Sequence, residues 1–221
     1  MALSSMKLVK DGSKNASSTQ DFLTNWYQNR VIPDSDFQEA YERDKPFFLE
    51  RMKNLPTVKT VENINEIGNS GNVNRKLVTG QYVPKENLIL MRKDANPWTL
   101  THEMNHAIND IDRSYTYNVH KDIIENEIKP KEELSGPYKD KYEYFTNPDE
   151  VHSRIMVLRQ AAGIKPNQVV TPEYLDNFIK NYKGENSNIN DLLKLSKDKE
   201  GLLNMLNYMA ANKQNLNSNQ V

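Results

Sequence analysis

The segment from Thr99 to Asn109 constrains this chain more than any other, because it contains the pattern HExxH at His102, Glu103 and His106. An α-helix takes 3.6 residues per turn, so histidines four residues apart lie on one face. Two imidazoles placed in this way can reach one zinc ion at about 2.0–2.1 Å. Glu103 would then lie beside the metal, where its carboxylate could accept a proton from a water molecule. The segment therefore predicts a helix that carries a metal site.

The surrounding residues favour a helix at this position. Asn96 is a suitable N-cap, and Pro97 suits the first turn. Apolar residues then recur at spacings of three and four, at Leu100, Met104, Ala107, Ile108 and Ile111. The chain has only four histidines, and chance would place HExxH in roughly one of a few hundred chains of this composition. An accidental match on an ordinary amphipathic helix is the alternative interpretation.

The segment that contains His102, Glu103 and His106 resembles the metal-binding helix of the zincin superfamily of metallopeptidases. This resemblance implies a substrate cleft lined by an edge strand that precedes the helix, and a third protein ligand from a later segment. With no cysteine in the chain, that ligand must be histidine, aspartate or glutamate.

A later helix provides the leading candidate for the third ligand. Asn147 is predicted to cap it, Pro148 to occupy its first position, and Val151, Ile155 and Leu158 to form its buried stripe. Asparagine and proline followed by an acidic residue resemble the downstream glutamate helix of gluzincins. This resemblance implies that His102, His106 and Glu150 bind zinc (Zn2+), with water completing the set. Arg154 lies four residues after Glu150 and is expected to orient its carboxylate.

Other ligands and roles stay open at this point. Asn109 and Asp112 stand where the longer metzincin pattern has glycine and histidine, so the chain departs from that group. The competing third ligands are His152, Asp149, Asp112 and His120. Several tyrosines could supply a hydrogen bond to a reacting carbonyl oxygen, namely Tyr115, Tyr117, Tyr142 and Tyr144. Of these Tyr144 is nearest in sequence to Glu150, and we take it as the catalytic candidate.

The rest of the pattern predicts an α+β, mainly helical fold, which the resemblance implies is zincin-like. Strands are predicted at 57–61, 76–83 and 86–91, with Pro84 and Lys85 connecting the last two. Helices are predicted near 118–129, from Asn147, from Thr171 and Pro172, and near 187–196 and 198–212. The predicted organisation is a flexible arm at 1–17, one domain at 18–212 and a disordered tail at 213–221. The domain comprises a helical pair at 18–55, the sheet and metal helix at 57–112 and a helical part at 117–212.

Charge and hydropathy exclude some classes of function. The formal net charge is −1, which gives no basic surface for nucleic acid and no polybasic patch for a membrane. No apolar run approaches the length of a membrane span, and the N-terminus lacks the apolar centre of a secretory signal peptide. We therefore expect neither nucleic acid nor a membrane as a partner.

Two further segments carry a second resemblance. Residues 14–30 and 147–154 are similar to virion-associated or uncharacterised proteins of large tailed bacteriophages, in particular the crAss-like phages of gut Bacteroidota. This implies a location in the bacterial host cytoplasm or in the phage virion, with other virion proteins as partners.

Taken together, the motif and the resemblances predict a zinc-dependent endopeptidase that acts on a protein or peptide, with Glu103 as its general base. The alternative is a virion structural or assembly protein with a zincin-like fold and no turnover. A helical protein with a chance motif would bind no zinc.

Overall fold

The computed structural model describes residues 56–62, 79–96, 98–109, 124–165 and 168–208, together with Lys121 and scattered positions between 20 and 53. The fold is α+β, as predicted. Its strands are β1 (Thr57–Val61), β2 (Gly80–Val83) and β3 (Leu88–Arg92). Its helices are α1 (Trp98–Asn109), α2 (Pro137–Asp140), α3 (Tyr142–Phe145), α4 (Pro148–Ala161), α5 (Pro172–Asn181), α6 (Ser187–Leu195) and α7 (Lys199–Tyr208). The arm at 1–17, the tail at 213–221 and most of the helical pair at 18–55 lie outside the described residues.

The sheet has the strand order β1-β3-β2, with β1 parallel and β2 antiparallel to β3. Among the described strands, this order places β2 at one edge. The predicted strand at 86–91 begins later than expected, because Pro84–Glu86 forms a 3-10 turn that Asn87 ends in the left-handed conformation (φ 46°). Asparagine tolerates that conformation better than most residues do. Of the strand predicted at 76–83, the first three residues lie outside the described part.

Helix α1 follows the sheet directly and is capped as its sequence predicted. The Oδ1 atom of Asn96 accepts a hydrogen bond of 3.0 Å from the backbone N–H of Trp98, which satisfies one of the free donors of the first turn. The described residues of the predicted apolar stripe are all buried: Leu100, Met104, Ala107 and Ile108. Helix α1 packs against β2 and β3 and also against α4. It therefore joins the sheet to the helical part.

Helix α4 is the central helix of the structure. The Asn147 side chain accepts a hydrogen bond of 2.9 Å from the backbone N–H of Asp149, and Pro148 occupies the first turn. The predicted stripe of Val151, Ile155 and Leu158 is fully buried. Gly163 follows the helix with φ 70°, the left-handed conformation that glycine adopts most easily after a helix C-terminus. Neighbouring helices therefore enclose α4 along most of its length.

Helices α5, α6 and α7 complete the apolar core around α4. The predicted start at Thr171 and Pro172 is confirmed, with the Thr171 hydroxyl accepting a hydrogen bond from the N–H of Tyr174. The core residues that these helices contribute are Leu175, Ile189, Leu192, Leu202, Met205 and Leu206. Of the helix predicted near 118–129, residues 121 and 124–129 are described; 121 and 124–127 are helical, whereas Ile128 forms an isolated β-bridge with Ser196 and the helix has ended. Across the described part of the chain, no helix combines the length and the apolar character that a membrane span requires.

Candidate metal centre

Two imidazoles and one carboxylate converge where α1 crosses α4. The Nε2 atoms of His102 and His106 lie 3.0 Å apart. The carboxylate oxygens of Glu150 lie 3.4 Å from Nε2 of His102 and 3.4 Å from Nε2 of His106. Ligand atoms about 2.0–2.1 Å from a tetrahedral ion are separated by roughly 3.3 Å. The group His102, His106 and Glu150 could therefore hold a metal ion.

The helices explain why these three side chains meet. His102 and His106 are one turn apart on the face of α1 that packs against α4. Glu150 lies in the first turn of α4, and this N-terminal end of α4 meets the face of α1 that carries the two histidines. The side chains of His102, His106 and Glu150 are 9%, 21% and 15% exposed, so the group is largely sheltered from solvent. Two histidines and a glutamate are a donor set found in catalytic zinc sites.

The groups around Glu150 keep its carboxyl group ionised, which is the state that can bind a cation. Burial raises the pKa of Glu150, but the positive charge of Arg154 and hydrogen bonds from His102 and His106 outweigh it and hold the pKa well below its usual value. For His106 burial has the opposite effect and lowers the pKa. The hydrogen bond with Glu150 and the charge of that carboxylate outweigh burial, so the pKa of His106 lies above its usual value. Glu150 is therefore a carboxylate rather than a carboxylic acid at neutral pH, which is the form that binds metals.

Glu103 lies beside this group and is held by the edge strand. Its Oε2 atom accepts a hydrogen bond of 2.9 Å from the backbone N–H of Tyr82 in β2. Gly80 makes this approach possible, because a Cβ atom at residue 80 would lie 2.6 Å from Cγ2 of Thr99 and 3.0 Å from Cγ of Glu103. A glycine inside a strand often marks such a close approach, and this signal was present in the sequence. The role of Gly80 was nevertheless not predicted.

Arg154 occupies the position that the four-residue spacing predicted. Its Nη2 atom donates a hydrogen bond of 3.0 Å to Oε2 of Glu150, and Nη1 donates one of 3.1 Å to the carbonyl oxygen of Phe145. The guanidinium also lies over the rings of Tyr144 and Phe145, 5.6 Å and 5.3 Å from their centres. At 2% side-chain exposure, Arg154 is a buried partner of Glu150 and not a surface charge.

Tyr144 is placed near the two acidic residues of the site. The residue as a whole is 45% exposed. Burial of its hydroxyl and the charge of Glu150 nevertheless raise the pKa of Tyr144; Arg154 lowers it in part, and Glu103 raises it further. The hydroxyl therefore stays protonated at neutral pH and can donate a hydrogen bond.

The competing third ligands have other positions. His152 is fully buried between α1 and α4, where its Nδ1 atom accepts a hydrogen bond of 2.9 Å from Nδ2 of Asn105. The backbone N–H of Asp149 donates a hydrogen bond to Oδ1 of Asn147, the residue that caps α4. Neither residue is part of the group that the described residues offer to a metal. Asp112 and His120 lie outside the described residues.

Two further residues beside the site were not predicted. Asp191 of α6 places Oδ2 at 3.7 Å from Nε of Arg154. Tyr138 of α2 donates a hydrogen bond of 2.8 Å to Oδ1 of the same aspartate. Nothing in the local sequence around either residue marks it, because only the packing of α6 against α4 brings Asp191 to this place.

Fold and site together define an α+β protein with a potential His-His-Glu metal centre at the junction of its sheet and its helical part. Comparison of the chain with protein families, with curated proteins and with solved structures found no match.

Proposed function

We propose that this protein is a zinc-dependent endopeptidase with a zincin-like arrangement of sheet and helices. The observation that carries the proposal is the convergence of His102, His106 and Glu150 from two helices, with Glu103 directly adjacent in the sequence. Two histidines and a carboxylate leave a coordination position for a water or a substrate, which distinguishes a catalytic zinc site from a closed structural one. The substrate would be a protein or a peptide.

In this proposal His102, His106 and Glu150 hold the zinc, which supplies Lewis-acid polarisation of the peptide carbonyl and makes water a better nucleophile at neutral pH. Glu103 accepts the proton of the attacking water on its carboxylate and passes it to the nitrogen of the leaving amine. The hydrogen bond from the Tyr82 N–H to Oε2 fixes the direction of that carboxylate. The Tyr144 hydroxyl donates to the carbonyl oxygen as negative charge develops on it.

The edge strand β2 is the proposed platform for the substrate. Arg92 donates its N–H to the carbonyl oxygen of Thr79 at 2.9 Å, which makes these two residues a hydrogen-bonded pair. Pairing alternates in an antiparallel ladder, so the backbone groups of Gly80 and Tyr82 point away from β3. The N–H of Tyr82 is bonded to Glu103, so the platform is proposed on the backbone of Gly80. An extended peptide can align along a sheet edge of this kind, and here the edge lies beside Glu103. This arrangement supports a peptide substrate rather than a small molecule.

The test combines zinc content with cleavage of an unbiased substrate. We would measure zinc by elemental analysis in the wild type, in His106→Ala and in Glu103→Gln, and then incubate each with unfolded casein and with a mixed peptide library. New N-termini would be identified by mass spectrometry. The expected result is about one zinc per chain in the wild type and in Glu103→Gln and none in His106→Ala, with cleavage by the wild type but by neither of these two variants. Glu173→Gln is the matched control, since it makes the same change at an exposed position on α5.

The other outcomes separate the alternatives. Zinc retained by the wild type without cleavage of any substrate would favour an assembly protein of a virion, in which the metal has a structural role. A folded wild type that takes up no zinc, even when zinc is supplied, would contradict the proposal and leave HExxH as a chance match.

A further inference from the structure

A chain of polar contacts extends from the proposed ligand Glu150 to helices α6 and α2. Nη2 of Arg154 donates to Oε2 of Glu150 at 3.0 Å. On the other side of the guanidinium, Nε of Arg154 faces Oδ2 of Asp191 at 3.7 Å. The hydroxyl of Tyr138 then donates to Oδ1 of Asp191 at 2.8 Å. Glu150 is thus linked to two helices that carry none of the proposed ligands.

The contacts fix the orientation of Arg154. Its Nη1 donates to the carbonyl oxygen of Phe145 at 3.1 Å, its Nη2 contacts Glu150, and its Nε faces Asp191. Both Nη atoms are hydrogen-bonded, whereas Nε has no hydrogen bond among the described residues and lies at ion-pair distance, 3.7 Å, from Asp191. The two hydrogen bonds restrict the rotation of the planar guanidinium, and the charge of Asp191 favours the same orientation. Because the Glu150 carboxylate is bonded to that plane, its direction depends on Asp191 through Arg154.

The charges make a second argument. Arg154 is a buried cation next to a carboxylate that is proposed to bind a divalent cation, and charges interact strongly where water is excluded. The positive charge of Arg154 offsets part of the attraction that Glu150 exerts on a cation. Asp191, with a side chain 20% exposed, restores a negative charge on the far side of Arg154.

We propose that Asp191 is a positioning residue for the metal centre, which acts on Glu150 through Arg154 and is itself held by Tyr138. The inference rests on the proposed binding of zinc by His102, His106 and Glu150. Residues that hold metal ligands in place commonly contribute 10–100-fold to metal affinity, and we expect an effect of about that size from Asp191.

The test measures zinc affinity by competition with a chromogenic chelator in folded protein. Asp191→Asn should weaken zinc binding by about 10–100-fold, Asp191→Glu should recover part of the loss, and Tyr138→Phe should weaken binding in the same direction by a smaller factor. Asp176→Asn is the matched control. It makes the same change of charge on α5, where Asp176 pairs with Lys199 at the surface, and it should leave zinc affinity unchanged.

The design separates this role from a merely structural one. A structural role would lower the unfolding midpoint of the zinc-free protein and leave the zinc affinity of the folded fraction unchanged, and that result would overturn the inference. If Asp191→Asn does not fold, Tyr138→Phe decides the question, and wild-type affinity in that variant would overturn it as well. If the wild type and Asp176→Asn bind no zinc, the proposed function itself fails, which is a different result.

Discussion

At the scale of single residues, Tyr144 and Glu103 divide the proposed chemistry between a hydrogen-bond donor and a base. A tyrosine hydroxyl is protonated at neutral pH even at its ordinary pKa, and burial, the charge of Glu150 and that of Glu103 raise the pKa of Tyr144 further. Glu103 is directed by the backbone of β2. Neither residue belongs to the group that could hold a metal, so each can be changed without removing a candidate ligand.

Tyr144→Phe should lower kcat and keep zinc. Removing one donor that stabilises a developing oxyanion costs about 10²–10³-fold in kcat, and a phenyl ring preserves the contact with Arg154. The measurement is steady-state cleavage of the best peptide from the library, with zinc content alongside. Tyr142→Phe is the control, because its hydroxyl donates to the carbonyl oxygen of Lys129. Equal losses in the two variants would argue against a role for Tyr144 in the reaction.

Gly80→Ala should reduce cleavage without loss of zinc. The new Cβ atom would lie 2.6 Å from Cγ2 of Thr99 and 3.0 Å from Cγ of Glu103, so β2 must move away from α1 or the Glu103 side chain must turn. Either movement disturbs the bond from the Tyr82 N–H to Glu103. We expect kcat to fall by roughly tenfold or more, since small displacements of catalytic groups are costly.

A second substitution tests the cause of that loss. Thr99→Ser removes Cγ2 while it keeps the hydroxyl, which lies 3.3 Å from the hydroxyl of Thr79. The double variant Gly80→Ala/Thr99→Ser should therefore recover part of the activity. If the double variant recovers no activity, the contact with Thr99 is not the cause of the loss in Gly80→Ala.

At the scale of elements, a buried polar cluster next to the candidate metal ligands secures the crossing of α1 and α4. Nδ2 of Asn105 donates to Nδ1 of His152 at 2.9 Å and lies 3.0 Å from Oγ of Ser153. All three residues are fully buried. Because directed hydrogen bonds fix one helix relative to the other more narrowly than apolar contact does, this cluster holds Glu150 opposite the two histidines.

Asn105→Ala should therefore destabilise the protein and weaken zinc binding together. Loss of two buried hydrogen bonds costs about 1–3 kcal/mol for each group left without its donor, so we expect a decrease of roughly 2–4 kcal/mol in the free energy of unfolding. Urea titration of the zinc-free protein measures it. Asn177→Ala, on the exposed face of α5, should change stability by no more than about 0.5 kcal/mol. A similar small change in Asn105→Ala would show that the cluster does not secure the crossing.

The elements also show what the sequence can and cannot predict. Helix α1, helix α4 and their caps follow from local signals, namely Asn96, Asn147 and the spacing of apolar residues. The start of β3 was predicted too early because Asn87 adopts a left-handed conformation after a 3-10 turn, and a pattern of β-forming residues does not reveal that turn. Asp191 could not be predicted, since its place beside Arg154 depends on how α6 packs against α4.

At the scale of the whole molecule, the candidate metal centre lies between two parts of the chain that are already joined by packing and by the hydrogen bonds of Asn105. His102 and His106 belong to α1, which packs against the sheet. Glu150 belongs to α4, which lies at the centre of the apolar core. A metal bound by all three would stabilise the folded chain alone, because the unfolded chain does not hold these ligands together.

Zinc should accordingly raise the melting temperature. At a free concentration 100-fold above the dissociation constant, a ligand that binds only the folded state adds about 2.7 kcal/mol. For a domain of 150–250 residues this corresponds to a shift of roughly 5–10 °C. Differential scanning calorimetry with and without zinc measures the shift, and a chelator should reverse it. His106→Ala, which loses a ligand, should melt at the same temperature under both conditions. A zinc-dependent shift of equal size in that variant would mean that the ion binds elsewhere, because the stabilisation would then not require the ligand on α1.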